Sequence, residues 1–142
     1  MTLLTVNETI NEIVEEFDYF DEWEERYFYL IEMGKNLEKM DENLKTDDNK
    51  LRGCQSTVFF HFIKNKDDTI SFRASSDAAI VQGLIALLSR IYNNRLPKDI
   101  LSVSTDFLET IGLQEHLSIT RKNGLASMIK SIESAARNSF KA

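Results

Sequence analysis

The sequence predicts an α+β fold, a small antiparallel sheet of two or three strands flanked by helices before and after it. Two observations carry that prediction. Apolar residues recur with helical period in the first third and again from residue 78 onward, whereas residues 58–63 and 69–73 read as strands. The length, 142 residues with 42% hydrophobic side chains, fits one domain spanning 1–142. A chain of that size buries roughly 68–70% of the surface its unfolded form exposes.

Taken in order, Ile10, Ile13, Val14 and Phe17 fall at i, i+3, i+4 and i+7, so the chain opens on a helix that Thr5 or Asn7 caps. A second stripe, Trp23, Tyr27, Leu30 and Ile31, ends near Gly34. Residues 58–63 are aromatic and almost wholly apolar, which predicts a strand buried on both faces. The polar residues 64–68 suit a hairpin connection and 69–73 the return strand. Ser75, Ser76 and Asp77 offer caps to a helix over 78–92, whose broad apolar face predicts that it lies on the sheet. Pro97 belongs in the first turn of a short helix. Helices over about 105–111 and 120–138 complete the chain, the last turning Leu125, Met128, Ile129 and Ile132 inward.

The charge is unevenly spread. Nine of the 23 acidic side chains lie in the first 25 residues, which hold no Lys or Arg; the rest of the chain carries 14 acidic against 17 basic. An acidic face of this kind is either solvated or a docking surface for a basic partner, and both readings are open. The net charge of −6 argues against nucleic acid as a partner, since phosphate neutralisation requires a basic surface. The acidic start is unlike a basic signal-peptide start. The longest apolar stretch, 83–88, falls far short of the roughly 20 residues that span a membrane. No membrane association and a cytoplasmic, reducing location are the expectation, and there an unpaired thiol stays free.

The one cysteine, Cys54, forms no disulfide within the chain and supplies neither a thiolate cage for zinc or an iron–sulfur cluster nor a two-cysteine redox motif. No metal site is expected. Lone cysteines are most often core filler. The neighbours of this one, Arg52, Gln55, Ser56 and Thr57, are polar, and Gly53 permits a turn that other residues resist. The position reads as a loop tip at the head of a buried strand, with Arg52 favouring the thiolate, the nucleophilic form.

Three ordered segments resemble the SufE-type sulfur acceptor proteins of iron–sulfur cluster biogenesis. They are Gly53-Cys54-Gln55-Ser56 followed by Val58; Ser76-Asp77-Ala78 with Ile80-Val81 and Gly83-Leu84; and Gly112-Leu113, His116-Leu117-Ser118, then Arg121 with Asn123-Gly124-Leu125. Leu51, Phe59 and Ile119 depart from the family's usual valine, tryptophan and proline, each an apolar exchange. The resemblance covers nearly the whole chain and implies a SufE/NifU-like arrangement of the α+β fold. It implies that Cys54 takes sulfane sulfur from a SufS-type cysteine desulfurase, stimulates that enzyme, and passes the sulfur to a SufB-type scaffold complex. Gly53, Gln55 and Ser56 would support the cysteine loop, and Asp77, Arg121 and His116 would contact the loop or the partner. The chain itself would need no cofactor, pyridoxal phosphate being expected only on the desulfurase. A homodimer is compatible with the resemblance. The loop should rest against apolar side chains and swing outward on docking.

From the residues alone, Asp77 is a carboxylate at a helix start, stabilised by the helix dipole. Arg121, a cation in a helix's first turn, opposes that dipole and calls for a compensating carboxylate, carbonyl or sulfur anion. Gly124 inside a helix predicts close backbone packing. His61 reads as a packed strand histidine. Two alternatives to sulfur acceptance stand beside it: a thiol enzyme using His61 or His116 as base to Cys54, and an adapter in which Cys54 is inert. A cluster scaffold is excluded by the cysteine count.

Overall fold

The computed structural model describes residues 4–51 and 56–139. The α+β expectation holds. Among the described residues seven helices accompany a two-stranded antiparallel sheet: α1 (Val6–Asp18), α2 (Trp23–Lys35), β1 (Val58–Lys64), β2 (Ile70–Ser76), α3 (Ala79–Tyr92), α4 (Pro97–Leu101), α5 (Asp106–Thr110), α6 (Leu113–His116) and α7 (Ile119–Ser139). Two single 3₁₀ turns, Glu42–Leu44 and Asp47–Asn49, which sequence periodicity did not reveal, carry the chain from α2 to the sheet.

Helix α1 is capped by Thr5, not Asn7. The Thr5 hydroxyl accepts the Glu8 N–H and the Glu8 carboxylate accepts the Thr5 N–H, both at 3.1 Å, a reciprocal capping box. Its inward residues Ile13 and Phe17 are fully buried. The central element is α3, on which ten residues are buried, from Ile80 to Tyr92. It packs against α2, α1, α7 and β2. Pro97 occupies the first turn of α4 as expected, and α7 buries Leu125, Met128, Ile129 and Ile132.

At the crossing of α2 and α3 the two backbones meet at a pair of glycines. A Cβ on Gly34 would lie 2.7 Å from the Gly83 nitrogen; a Cβ on Gly83 would lie 2.7 Å from the Leu30 carbonyl carbon and closer still to its oxygen. Sequence reasoning looked for close backbone packing at Gly124 and overlooked this pair.

Two expectations for the sheet need correction. Strand β1 is not buried on both faces: Val58 and Phe60 are buried, but Phe59 and His61 are half-buried and Ile63 and Lys64 exposed. With only two strands, one face of β1 has no second layer to cover it. Strand β2 runs to Ser76 instead of Arg73, because the ladder continues from Lys64↔Ile70 to Val58↔Ser76. Ser75 and Ser76 therefore belong to the sheet, and α3 starts at Ala79 without a side-chain cap. At this junction Gln82 Oε1 accepts the Ser76 N–H at 2.8 Å and the Ser76 hydroxyl accepts the Ala78 N–H at 3.2 Å. Single-residue bridges flank the sheet, Lys50 against Phe59 and Arg95 against Ile70.

The acidic face is not uniformly solvated. Glu16 is half-buried and receives two bonds of 2.7 Å from the Arg90 guanidinium and a third from the Tyr29 hydroxyl, tying α1 to α3 and α2. The Arg90 bonds hold the Glu16 carboxyl below its ordinary value. A carboxylate with a depressed folded-state pKa adds stability above its unfolded pKa and loses it as pH falls through the folded value. Glu16→Gln is therefore expected to cost about 1–2 kcal/mol at pH 7, between exposed and buried pairs in size. In denaturant titrations the gap from the parent should begin to narrow as pH drops below the ordinary glutamate value of about 4 and go on narrowing at lower pH. A gap that does not narrow at all as the pH is lowered through the acid range would show that packing, not charge, is responsible.

Candidate functional site

Residues 52–55, and with them Arg52, Gly53, Cys54 and Gln55, lie outside the described residues. Both roots of the segment are described, and both are held. The Leu51 N–H donates to the Val58 carbonyl at 2.8 Å, closing the connection on itself. On the other side of the cysteine, the Thr57 N–H donates to Asp77 Oδ1 at 3.2 Å and the Thr57 carbonyl accepts the Asp77 N–H at 3.4 Å. Asp77 thus does not cap α3, as the residues alone suggest; its carboxylate turns back to the chain three positions after Cys54. Asp77→Ala is expected to remove about 0.5–1.5 kcal/mol of stability. It should also raise the rate at which iodoacetamide alkylates Cys54, by roughly two- to tenfold if most of that loss is felt locally at the loop root. An unchanged alkylation rate would show that the bond does not govern access to the thiol.

Beside Ser56 opens a cavity of about 230 Å³. Its floor is apolar, with Val58 from β1, Val81 and Leu84 from α3, and Leu125 and Met128 from α7. Among the described residues, Ser56, Ser118, Thr120, Arg121 and Gly124 supply the rest of the lining. The position of Arg121 follows from how α7 begins: the Ser118 hydroxyl accepts the Arg121 N–H at 3.2 Å, an N-cap bond that sets the first turn beside the cavity. A carboxylate to compensate Arg121 is not found, since among the described residues none pairs with its guanidinium. Two sequence segments about 60 residues apart, around Ser56 and around Arg121, therefore share one cavity.

The other predicted residues lie in different settings. The His116 ring stacks on Trp23, centroids 4.7 Å apart and planes 9° apart, which joins α6 to the start of α2. Gly112, at φ +90°, makes the turn into α6, a conformation that favours glycine. His61 is half-buried on β1 opposite Arg73. The distance from either histidine to Cys54, which decides the thiol-enzyme alternative, involves a residue outside those described. Sequence reasoning gave Thr57 no role, and its residue type carries no signal of one, since both bonds to Asp77 use the Thr57 backbone. Among the described residues no three His, Cys, Asp or Glu side chains gather as metal ligands, and no helix is long and apolar enough to cross a membrane.

Comparison with known proteins decides the family. The profile of the SufE family, described as an Fe-S metabolism associated domain, matches residues 11–136. The chain belongs to the SufE family. This SufE-family protein is 42% identical over 132 residues to an uncharacterized SufE-like protein of Rhizobium meliloti, covering 90% of this chain and 94% of the relative. It is 38% identical over 133 residues to another from Rhizobium etli, covering 91% and 90%. Its fold is that of a solution structure described as a hypothetical protein from Thermus thermophilus, with a TM-score of 0.77, 18% identity, and coverage of 94% of this chain and 97% of that one. Family membership gives the SufE-family chain a role in Fe–S metabolism.

Proposed function

We propose that this SufE-family protein accepts persulfide sulfur from a cysteine desulfurase on Cys54 and relays it to an Fe–S cluster assembly scaffold, stimulating the desulfurase as it does so. The Cys54 thiolate attacks the terminal sulfur of the donor's Cys–S–SH group. A new S–S bond forms at Cys54 as the donor's S–S bond breaks, and the donor cysteine leaves as a thiolate. The sulfane sulfur keeps its oxidation level throughout, so no oxidant or reductant enters. A thiolate on the scaffold then removes the sulfur by the same exchange. Pyridoxal phosphate chemistry belongs to the donor enzyme, and one thiol suffices on this chain.

The observation that carries this reading is the cavity that Ser56 shares with Arg121. Supporting it, a persulfide brought to that cavity would be sheltered from water and stray thiols by the apolar floor, and a cation on the lining would favour sulfur in its anionic form. The test is intact-mass spectrometry after incubation with a SufS-type desulfurase and cysteine. The expected result is a gain of about 32 Da on the peptide carrying Cys54, reversed by dithiothreitol. No mass gain under turnover conditions would refute the proposal.

A further inference from the structure

We infer that Ile119 is the apolar anchor by which the sulfur-donating protein docks, and that the donor presents an apolar recess to receive it; the inference rests on the function proposed above. Ile119 is the first residue of α7 and stands 74% exposed, the most exposed large aliphatic side chain among the described residues. It does not line the cavity, yet Ser118, Thr120 and Arg121 around it do. Its side chain leaves apolar surface exposed directly beside residues that line the cavity. Leu117, two positions earlier, shows that this segment can turn an apolar side chain inward, for it is only 6% exposed.

Direct sulfur exchange brings the donor's sulfur to bonding distance of the Cys54 sulfur, so the donor's surface must cover the ground next to Ser56. That ground includes the part of the cavity's lining where α7 begins, since Ser118, Thr120 and Arg121 share the cavity with Ser56. The N-cap bond from Ser118 fixes the first turn of α7, so Ile119 is presented on a rigid element and little ordering is required when it is covered. The residues following it, Arg121 and Lys122, add positive charge, so the recess is rimmed by neutral or acidic groups. Buried anchors surrounded by a polar rim are where docking energy concentrates.

The experiment measures desulfurase-dependent persulfuration of Cys54 against acceptor concentration for the parent, Ile119→Asp and Ile119→Leu. In parallel, each protein is persulfurated directly with inorganic polysulfide. Ile119→Asp is expected to raise the acceptor concentration at half-maximal rate by about tenfold or more, the penalty of losing one buried aliphatic contact. Its maximal rate, melting temperature and polysulfide reaction should stay within about twofold or a few degrees of the parent, and Ile119→Leu should restore the parent half-saturation. An unchanged half-saturation for Ile119→Asp overturns the inference while leaving the sulfur-acceptor reading intact. So does an equal loss in the polysulfide reaction, which would make Ile119 a support of the cavity. Loss of a parental dimer in Ile119→Asp, without a change in half-saturation, would assign the side chain to self-association and overturn it too. If the parent gains sulfur from polysulfide but none from the desulfurase, reading and inference fall together.

Discussion

Gly83→Ala is expected to lower the melting temperature by about 10 °C. In an ordinary helix the change would stabilise, since alanine is favoured over glycine by about 1 kcal/mol. Here the added methyl meets the carbonyl of Leu30 on the neighbouring helix, 2.7 Å from its carbon. Those are backbone atoms of a packed helix and cannot rotate aside, so α2 and α3 must separate. Overpacking of a well-filled core costs about 1–3 kcal/mol, and the upper figure applies where backbone must move. For a chain of 142 residues about 3 kcal/mol corresponds to roughly 10 °C. Differential scanning calorimetry checks it. A Gly83→Ala protein that melts at or above the parent temperature would mean that the crossing is looser than described. Because α3 also supplies Val81 and Leu84 to the cavity floor, the variant should lose sulfur acceptance along with stability.

Cys54→Ser is expected to reduce sulfur receipt to the level measured without the protein. A serine hydroxyl is not ionised near neutral pH and does not displace a thiolate from a sulfane sulfur, so no fraction of the exchange survives. The variant also separates catalysis from docking. Under the acceptor mechanism, stimulation of the desulfurase is lost with the thiol, because the donor's persulfide is no longer cleared. If Cys54→Ala or Cys54→Ser still stimulates turnover as the parent does, the protein acts as an adapter and the thiol is inert. Measuring alanine production by the desulfurase, alongside the mass of the acceptor, distinguishes the two in one reaction.

The order of helices and strands was legible because the apolar spacing is regular: the stripe of α1 and the inward face of α7 lie where the periodicity puts them. The errors share a cause. Ser75 and Ser76 look like helix caps by local chemistry, but pairing with Val58 and Phe59 extends the ladder through them, and cross-strand pairing is invisible to a local reading. The apolar run of β1 suggests burial on both faces because composition does not count the layers available to cover it. At the site, each residue of the motif was visible singly, but not what each does. Asp77 looks outward to a helix and in fact turns to Thr57; His116 carries no local sign of its stacking on Trp23. The meeting of Ser56 and Arg121 at one cavity depends on how α7 packs against α3, a tertiary fact with no local signature.

The bridges at Lys50 and Arg95 have a bearing on solubility. A two-stranded sheet is almost all edge, and an open edge is a template on which another chain can add a strand. Here each strand has one outer position already occupied, Phe59 by Lys50 and Ile70 by Arg95, in both cases by a residue of basic type. Under the function proposed above, the protein works by repeated, reversible encounters and needs its partners to meet side chains rather than backbone. Obstructing both edges discourages sheet extension and the aggregates it seeds, and leaves recognition to surfaces that release what they bind.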